Sequence, residues 1–221
     1  MIDGVLNVRD LGGHRAYGQE IRRGLILRTA ALDQLTEQGA ASLAELGLRT
    51  VIDLRTAAER DADPNAVAEY PQLEGVRQIP LPLVEDFEGM PDSAIGSYLF
   101  MLERGGGTLV TAIRLLAEPE ALPAIVHCAA GKDRTGLVIA LLLGWLGVDY
   151  AVIEADYLAS NEGLGDTLRY PAKPEALAAV FDGVREQYGS IEEFFEEHGF
   201  RETERVALRH TLLKHDFDPD R

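Results

Sequence analysis

Cys128 is the one cysteine in this chain of 221 residues, and Arg134 stands six positions after it in the run Pro123-Ala-Ile-Val-His-Cys-Ala-Ala-Gly-Lys-Asp-Arg-Thr-Gly136. A lone cysteine is either inert packing or a reactive group, and its neighbours decide which. Here an apolar run ends at His127, a stretch of small and charged residues follows, and a strongly apolar stretch begins near Thr135. A strand–loop–helix unit of this kind aims successive loop N–H groups and the positive end of a helix at one concave point, which suits an oxyanion the size of phosphate. At the floor of such a cradle the loop amides, the helix dipole and Arg134 all favour the thiolate form of Cys128, which is the nucleophile. Arg134 can offer a planar fork of donors to two equatorial phosphoryl oxygens, and Thr135 can donate its hydroxyl to the Cys128 sulfur. Ala129, Ala130, Gly131 and Lys132 supply the other phosphate-binding positions of the loop.

The elements that must position this loop are legible as alternating patterns. Leu25–Arg28, Thr50–Leu54, Val76–Ile79 and Ala124–His127 are short apolar or β-branched runs bounded by Gly, Pro or charged residues, as buried strands are. Helical patterns cover Glu37–Leu46, Ala94–Arg104, Leu109–Glu118 and Thr135–Leu146. Strands alternating with helices predict an α/β fold with a mostly parallel central sheet flanked by helices. From Asp149 onward only helix signals remain. Asp149 caps a helix running to about Ser160, Pro174 suits a first helical position, Ser190 to Glu193 has capping-box spacing, and Glu202–Lys214 carries an apolar stripe. The expectation is a single domain over 1–221, with an α/β catalytic core to about 148 and an all-helical C-terminal cover or lid over about 149–221. Leu81–Asp92 and Asn161–Lys173 read as irregular loops of the kind that serve as lids or binding loops.

His127-Cys128-Ala-Ala-Gly-Lys-Asp-Arg134-Thr135-Gly136 resembles the H-C-x5-R-[ST]-G signature of the cysteine-dependent protein tyrosine phosphatases. Its G-K-D-R-T-G form is similar to the bacterial family that includes secreted mycobacterial and listerial enzymes acting on phosphotyrosine, phosphoserine/threonine and phosphoinositides. Asn7–Gly13, Leu27–Thr29, Leu48–Arg55 and Ala155–Asn161 extend the resemblance to about residue 161. It implies a tyrosine-phosphatase-like fold and a two-step hydrolysis, in which Cys128 takes the phosphoryl group, water releases it, and an acid protonates the leaving oxygen. No cofactor or metal is implied. The acid has two candidate sources. Asp133 sits inside the loop, as the acid does in some lipid-directed relatives, whereas Glu85 and Asp86 lie on a separate loop. The position right after Leu81-Pro82, an aspartate in the mycobacterial relative, is Leu83 here, and that departure favours Asp133.

The remaining polar residues near these motifs have structural readings beside functional ones. Lys132 is either a solvated surface lysine or, as the resemblance implies, a second cation facing the substrate. Asp53 and Arg55, two apart on a strand, share a face at its carboxyl end and read as an ion pair bracing the loop. His127 alternates to the face opposite the thiol and reads as a hydrogen-bonded support. Asn7, Arg9 and Asp10 read as a structural turn, and Glu192–Glu197 as a solvated helix face. His14, His198, His210 and His215 lack ligand spacing.

Charge narrows the function classes. With 21 basic and 37 acidic residues the net charge is −16, a field that repels nucleic-acid backbones and anionic headgroups, so neither nucleic acid nor stable membrane association is expected. The longest apolar run, Leu137 to Val148, is interrupted by Gly144 and Gly147 and falls short of the ~20 residues a span requires. One cysteine and no basic leader read as cytoplasmic, with export independent of a signal peptide left open. The expected partners are a phosphorylated protein or a phosphoinositide, with inorganic phosphate as product or bound ion. The leading reading is a phosphate monoester hydrolase acting on phosphotyrosine and on phosphoserine/threonine proteins. One rival is a phosphoinositide or inositol phosphate phosphatase, suggested by Lys132 and opposed by the charge. A second rival is a catalytically weak phosphate-binding module, opposed by the joint presence of Cys128, Asp133 and Arg134. A sulfurtransferase has no need of the Arg134-Thr135 pair, and an arsenate reductase usually recruits further cysteines.

Overall fold

A computed structural model describes residues 2–214; His215 lies outside the described residues. Along the chain, strand β1 (Arg9–Asp10) and a small hairpin of β2 (Arg15–Ala16) and β3 (Gln19–Glu20) precede β4 (Ile26–Thr29). Next come α1 (Glu37–Leu46), β5 (Thr50–Asp53), α2 (Ala57–Ala62), β6 (Arg77–Pro80), α3 (Ala94–Leu116), β7 (Ala124–His127) and α4 (Asp133–Trp145). The remainder is helical: α5 (Tyr150–Leu158), α6 (Ser160–Leu164), α7 (Pro174–Tyr188), α8 (Ile191–Glu197) and α9 (Glu202–Leu212). None of the described helices is long and apolar enough to cross a membrane.

The sheet order is β1-β4-β7-β5-β6, with β1 antiparallel to β4 and the other pairings parallel. This is the expected α/β architecture, a mostly parallel sheet flanked by helices with a helical C-terminal part. Every residue of β4, β5 and β7 is buried, as in a sheet covered on both faces. β7 lies between β4 and β5, neither of them its neighbour in sequence, so the loop after it opens into the crevice at the carboxyl ends of three strands. α4 follows that loop and is buried from Arg134 to Leu143 and again at Trp145. An apolar surface all round suits a helix packed between the sheet and α3, α5 and α8.

Several boundaries differ from the sequence expectation for identifiable reasons. The two helices expected over Ala94–Arg104 and Leu109–Glu118 are one continuous helix, α3, which runs through Gly105, Gly106 and Gly107. These glycines mark close approaches rather than a break. A Cβ on Gly105 would stand 2.8 Å from Leu83 Cδ1 and 2.9 Å from Leu83 O, and one on Gly106 would stand 2.5 Å from His198 Nε2. α4 starts at Asp133 rather than Thr135, which moves Asp133 and Arg134 from the loop into the first helical turn. α5 is capped by Asp149, whose Oδ1 accepts from the Ala151 amide at 2.8 Å, but it ends at Leu158. The segment Asn161–Lys173, expected to be irregular, is partly helical through α6 and a 3-10 turn over Gly165–Thr167. α9 ends at Leu212 because Leu213 turns out to bridge Ile21. α2 carried no hydrophobic periodicity and was not anticipated.

Gly105 and Gly107 are expected to respond oppositely to the same substitution. Gly107→Ala meets nothing nearer than 4.0 Å and removes a flexible residue from an exposed helical position, so it should stabilise by roughly 0.5–1 kcal/mol. Gly105→Ala forces its methyl into the Leu83 backbone and should destabilise by about 1–3 kcal/mol. Urea unfolding of the two variants checks the difference in sign.

Candidate active site

The loop from Cys128 to Lys132 is shaped by what holds its carbonyls from outside. Ala129 O accepts from the Ala31 amide at 3.0 Å, Ala130 O from Asn7 Nδ2 at 2.9 Å, and Gly131 O from Arg28 Nη2 at 2.7 Å. Cys128 O faces His127 Nδ1 at 3.1 Å. In a trans peptide the C=O and the next N–H point oppositely, so four carbonyls turned outward leave the amides of Ala129, Ala130, Gly131 and Lys132 turned inward. They form an anion nest at the N-terminus of α4. Gly131 has φ +65°, and a Cβ there would stand 2.1 Å from Thr29 O, so only glycine fits.

Two buried polar groups secure this arrangement from behind. Arg28, with 0 % exposure, joins Gly131 O to the Asp156 carboxylate of α5, and Arg9 Nε meets the same carboxylate at 3.0 Å. Burial opposes the charge on Asp156, yet Arg28 and Arg9 outweigh it and hold its pKa below the usual carboxylate range. On the other side Arg55 forks onto Asp53 with contacts of 2.7 to 3.2 Å, and Asn65 Nδ2 donates to Asp53 Oδ2 at 3.1 Å. Asn65 Nδ2 also lies 3.1 Å from His127 Nε2. Burial pushes the pKa of His127 down against the pull of Asp53, whose Oδ2 lies 3.5 Å from Nε2, and a neutral ring with Nδ1–H donating to Cys128 O and Nε2 accepting from Asn65 satisfies both ring hydrogen bonds. Asp53, Arg55 and His127 therefore lie behind the loop, and Asn7 and Arg9 join them there rather than at its mouth. Asp10 closes a turn by accepting from the Gly12 and Gly24 amides.

Cys128 is buried at the floor of the nest. Thr135 does not make the expected hydrogen bond to its sulfur. With α4 beginning two residues early, Thr135 is wholly buried within the first turn, and its hydroxyl has no hydrogen-bond partner. Arg134 meets Glu59 of α2 end-on, Nη1 to Oε2 at 2.6 Å and Nη2 to Oε1 at 2.7 Å, and its Nη1 also faces Leu54 O at 3.5 Å. The terminal pair of donors is thus engaged within the protein. The side edge remains, Nε–H together with the second hydrogen of Nη2. Burial works to lower the pKa of Arg134, but Glu59, Cys128 and Asp133 together push it further up.

A cavity of about 810 Å³ opens beside the nest, lined by Lys132, Asp133 and Arg134 together with Phe87, Tyr98 and Tyr170 among others. Lys132 is buried rather than solvated, and its Nζ does not stand free as a second cation. It donates to Tyr170 O at 2.8 Å and meets Asp133 Oδ1 at 3.0 Å. Of the candidate acids, Asp133 lines the cavity, whereas Glu85 and Asp86 are exposed and do not. From their loop Phe87, Met90, Pro91 and Asp92 line the cavity instead, and the Phe87 ring centroid lies 5.5 Å from Arg134 Cζ. Leu83 is buried against α3. A second hollow of about 570 Å³ lies away from Cys128, and its Asp182 and Arg185 pair with each other. Among the described residues, no three His, Cys, Asp or Glu side chains gather closely enough to hold a metal ion.

A central parallel strand delivering a cysteine into a ring of backbone amides, with an arginine in the first turn of the next helix, defines a site for phosphoryl chemistry on sulfur. The chain belongs to the tyrosine phosphatase family, which it matches over residues 1–214. It is 26% identical to the triple specificity protein phosphatase PtpB of Mycobacterium tuberculosis, with 96% of this chain and 98% of that one aligned. It is 32% identical to a tyrosine-protein phosphatase of Nostoc commune over 61% of this chain, a segment that spans only 47% of the Nostoc protein. The crystal structure of P. aeruginosa TpbA superposes with a TM-score of 0.49 and 17% identity, covering 87% of this chain and 91% of that one.

Glu59, Arg28, Tyr98 and Asn65 were not singled out from the sequence. Glu59 had a signal, since Thr56-x-x-Glu59 is a capping box in which Thr56 N and Oγ1 both reach Glu59 Oε2. Burial acts to raise the Glu59 pKa, but hydrogen bonds and charge from Arg134, with help from Thr56, hold it at about 2. A depressed carboxylate stabilises the fold above its ordinary value near 4.5 and loses that contribution as pH falls towards 2. Glu59→Gln is therefore expected to flatten the acid limb of stability between those values, measured as urea midpoints against pH.

Proposed function

We propose that this chain hydrolyses phosphate monoesters, chiefly phosphotyrosine in proteins and also phosphoserine and phosphothreonine, through a phosphocysteine at Cys128. The observation that carries the reading is the ring of four inward amides around a buried cysteine at the start of α4. In the first step the Cys128 sulfur attacks phosphorus while the nest amides and the Nε/Nη2 edge of Arg134 hold the equatorial oxygens. Their grip tightens as those oxygens spread in the transition state. Asp133, at the cavity wall, protonates the leaving oxygen, and water then displaces the sulfur to release inorganic phosphate. Family membership supports the choice of tyrosine, as do the aromatic groups Phe87, Tyr98 and Tyr170 around the cavity, which suit an aryl ester. The printed name of the mycobacterial relative supports the wider specificity. A phosphoinositide preference loses its leading support, because the Lys132 ammonium is already held by Tyr170 O and Asp133.

Cys128→Ser should fold normally, bind phosphate, and turn over a phosphotyrosine peptide at well under a tenth of the parent rate, because a hydroxyl does not ionise in the same cradle. Acid quench of the parent enzyme during turnover should trap phosphate on Cys128, and turnover by the serine variant would refute the covalent route. Arg134→Lys is expected to lower kcat by roughly 10²-fold or more with little change in KM, since a point cation replaces neither the side-edge pair nor the fork held by Glu59. Steady-state kinetics on the same peptide decide this.

A further inference from the structure

Tyr98 is bonded to Asp133 and Tyr157 to Tyr98, and neither hydroxyl takes part in the two hydrolytic steps. The Tyr98 hydroxyl, from α3, donates to Asp133 Oδ1 at 2.5 Å, and the Tyr157 hydroxyl, from α5, lies 2.7 Å from that of Tyr98. Their rings meet edge to face, 6.0 Å between centroids, and both residues are buried. Tyr98 has a single hydroxyl hydrogen, and Asp133 takes it. Tyr157 must therefore be the donor to the Tyr98 oxygen. Tyr157 lies close against Gly136 of α4, where a Cβ would stand 3.3 Å from Tyr157 Cδ2. Burial first, and then the Asp133 charge, push the Tyr98 phenol well above its ordinary range, which keeps it a donor through neutral pH.

Oδ1 of Asp133 accepts the Tyr98 hydroxyl hydrogen and also lies 3.0 Å from Lys132 Nζ in an ion pair. Oδ2 makes no hydrogen bond to a described residue, and the side chain is 39 % exposed. A proton placed on Oδ1 would compete with the Tyr98 donor and the Lys132 charge, whereas a proton on Oδ2 displaces no donor. We propose that Tyr98, backed by Tyr157, is a positioning residue that engages Asp133 Oδ1 and so assigns the catalytic proton to Oδ2. This inference rests on the reading of Asp133 as the general acid. As the Sγ–P bond forms and the ester P–O bond breaks, the leaving oxygen takes the proton from Oδ2, and Tyr98 and Lys132 stabilise the resulting carboxylate. In the second step Oδ2 recovers a proton from the attacking water as the new O–P bond forms and the S–P bond breaks.

The test compares kcat and KM for Tyr98→Phe, Tyr157→Phe, Asp133→Asn and the double variant Tyr98→Phe/Asp133→Asn. Substrates are p-nitrophenyl phosphate, whose leaving group scarcely needs a proton, and a phosphoserine peptide, whose leaving alkoxide does. Tyr98→Phe is expected to lower kcat on the phosphoserine peptide roughly tenfold, with KM within about twofold and p-nitrophenyl phosphate turnover within about threefold. Tyr157→Phe should shift the same ratio in the same direction by less, and it carries the test if Tyr98→Phe does not fold. The double variant should be no slower than Asp133→Asn alone. Equal losses on both substrates for the tyrosine variants, beside a leaving-group-dependent Asp133→Asn, would overturn the positioning role by itself. So would a double variant whose loss is the product of the two single losses. A loss in Asp133→Asn that is equal on both substrates would remove the acid itself and the proposal with it.

Discussion

The arrangement depends on the carbonyls of the Cys128 loop being satisfied from behind, because only then can the loop turn its amides forward. Arg28 is the central member of that support. It reaches the loop at Gly131 O from strand β4 and is neutralised by Asp156 from α5, with no solvent exposure of its own. Removing one partner of such a buried pair leaves an uncompensated charge, a loss of about 3–5 kcal/mol where it has been measured. α5 is therefore part of the catalytic scaffold as much as of the helical cover, since the charge that permits Arg28 comes from it.

On the proposed mechanism, Arg134 divides two tasks between two edges of one planar group. Its end-on pair is committed to Glu59, which also caps α2 through Thr56, so the short helix and the guanidinium orient each other. A side chain as long as arginine loses considerable rotamer freedom on binding an anion. Here much of that loss is met in folding, and the side edge is presented already aligned. The same logic extends to Lys132, whose bond to Tyr170 O ties the segment after α6 to the first turn of α4.

Much of this was legible because local chemistry and global fold agree. Ala124–His127 reads as a buried strand and is one, and the nest follows from small residues placed between a strand and a helix. What the sequence concealed were contacts between distant segments. Gly105 and Gly106 look like a helix break until Leu83 and His198 are seen against them. Glu59 lies in a six-residue helix without an apolar face, and nothing in its surroundings announces an arginine 75 positions away. Nothing in the sequence around Tyr98 or Tyr157 announces that the first bonds to Asp133 and the second to the first, from two different helices. Thr135 shows the converse: its hydroxyl, expected on the Cys128 sulfur, is buried without a hydrogen-bond partner.

On the mechanism proposed above, the Cys128 sulfur that attacks phosphorus can also attack peroxide oxygen, so the same reactivity makes it a target for oxidants. Many redox-sensitive proteins answer this with a resolving cysteine, and this chain has no second one. A sulfenic acid formed at Cys128 can be captured inside the chain only by a backbone nitrogen of the loop, or else by a thiol brought from outside. With no second cysteine in the chain, the return of such a sulfenic acid to a thiol falls to a thiol supplied from outside.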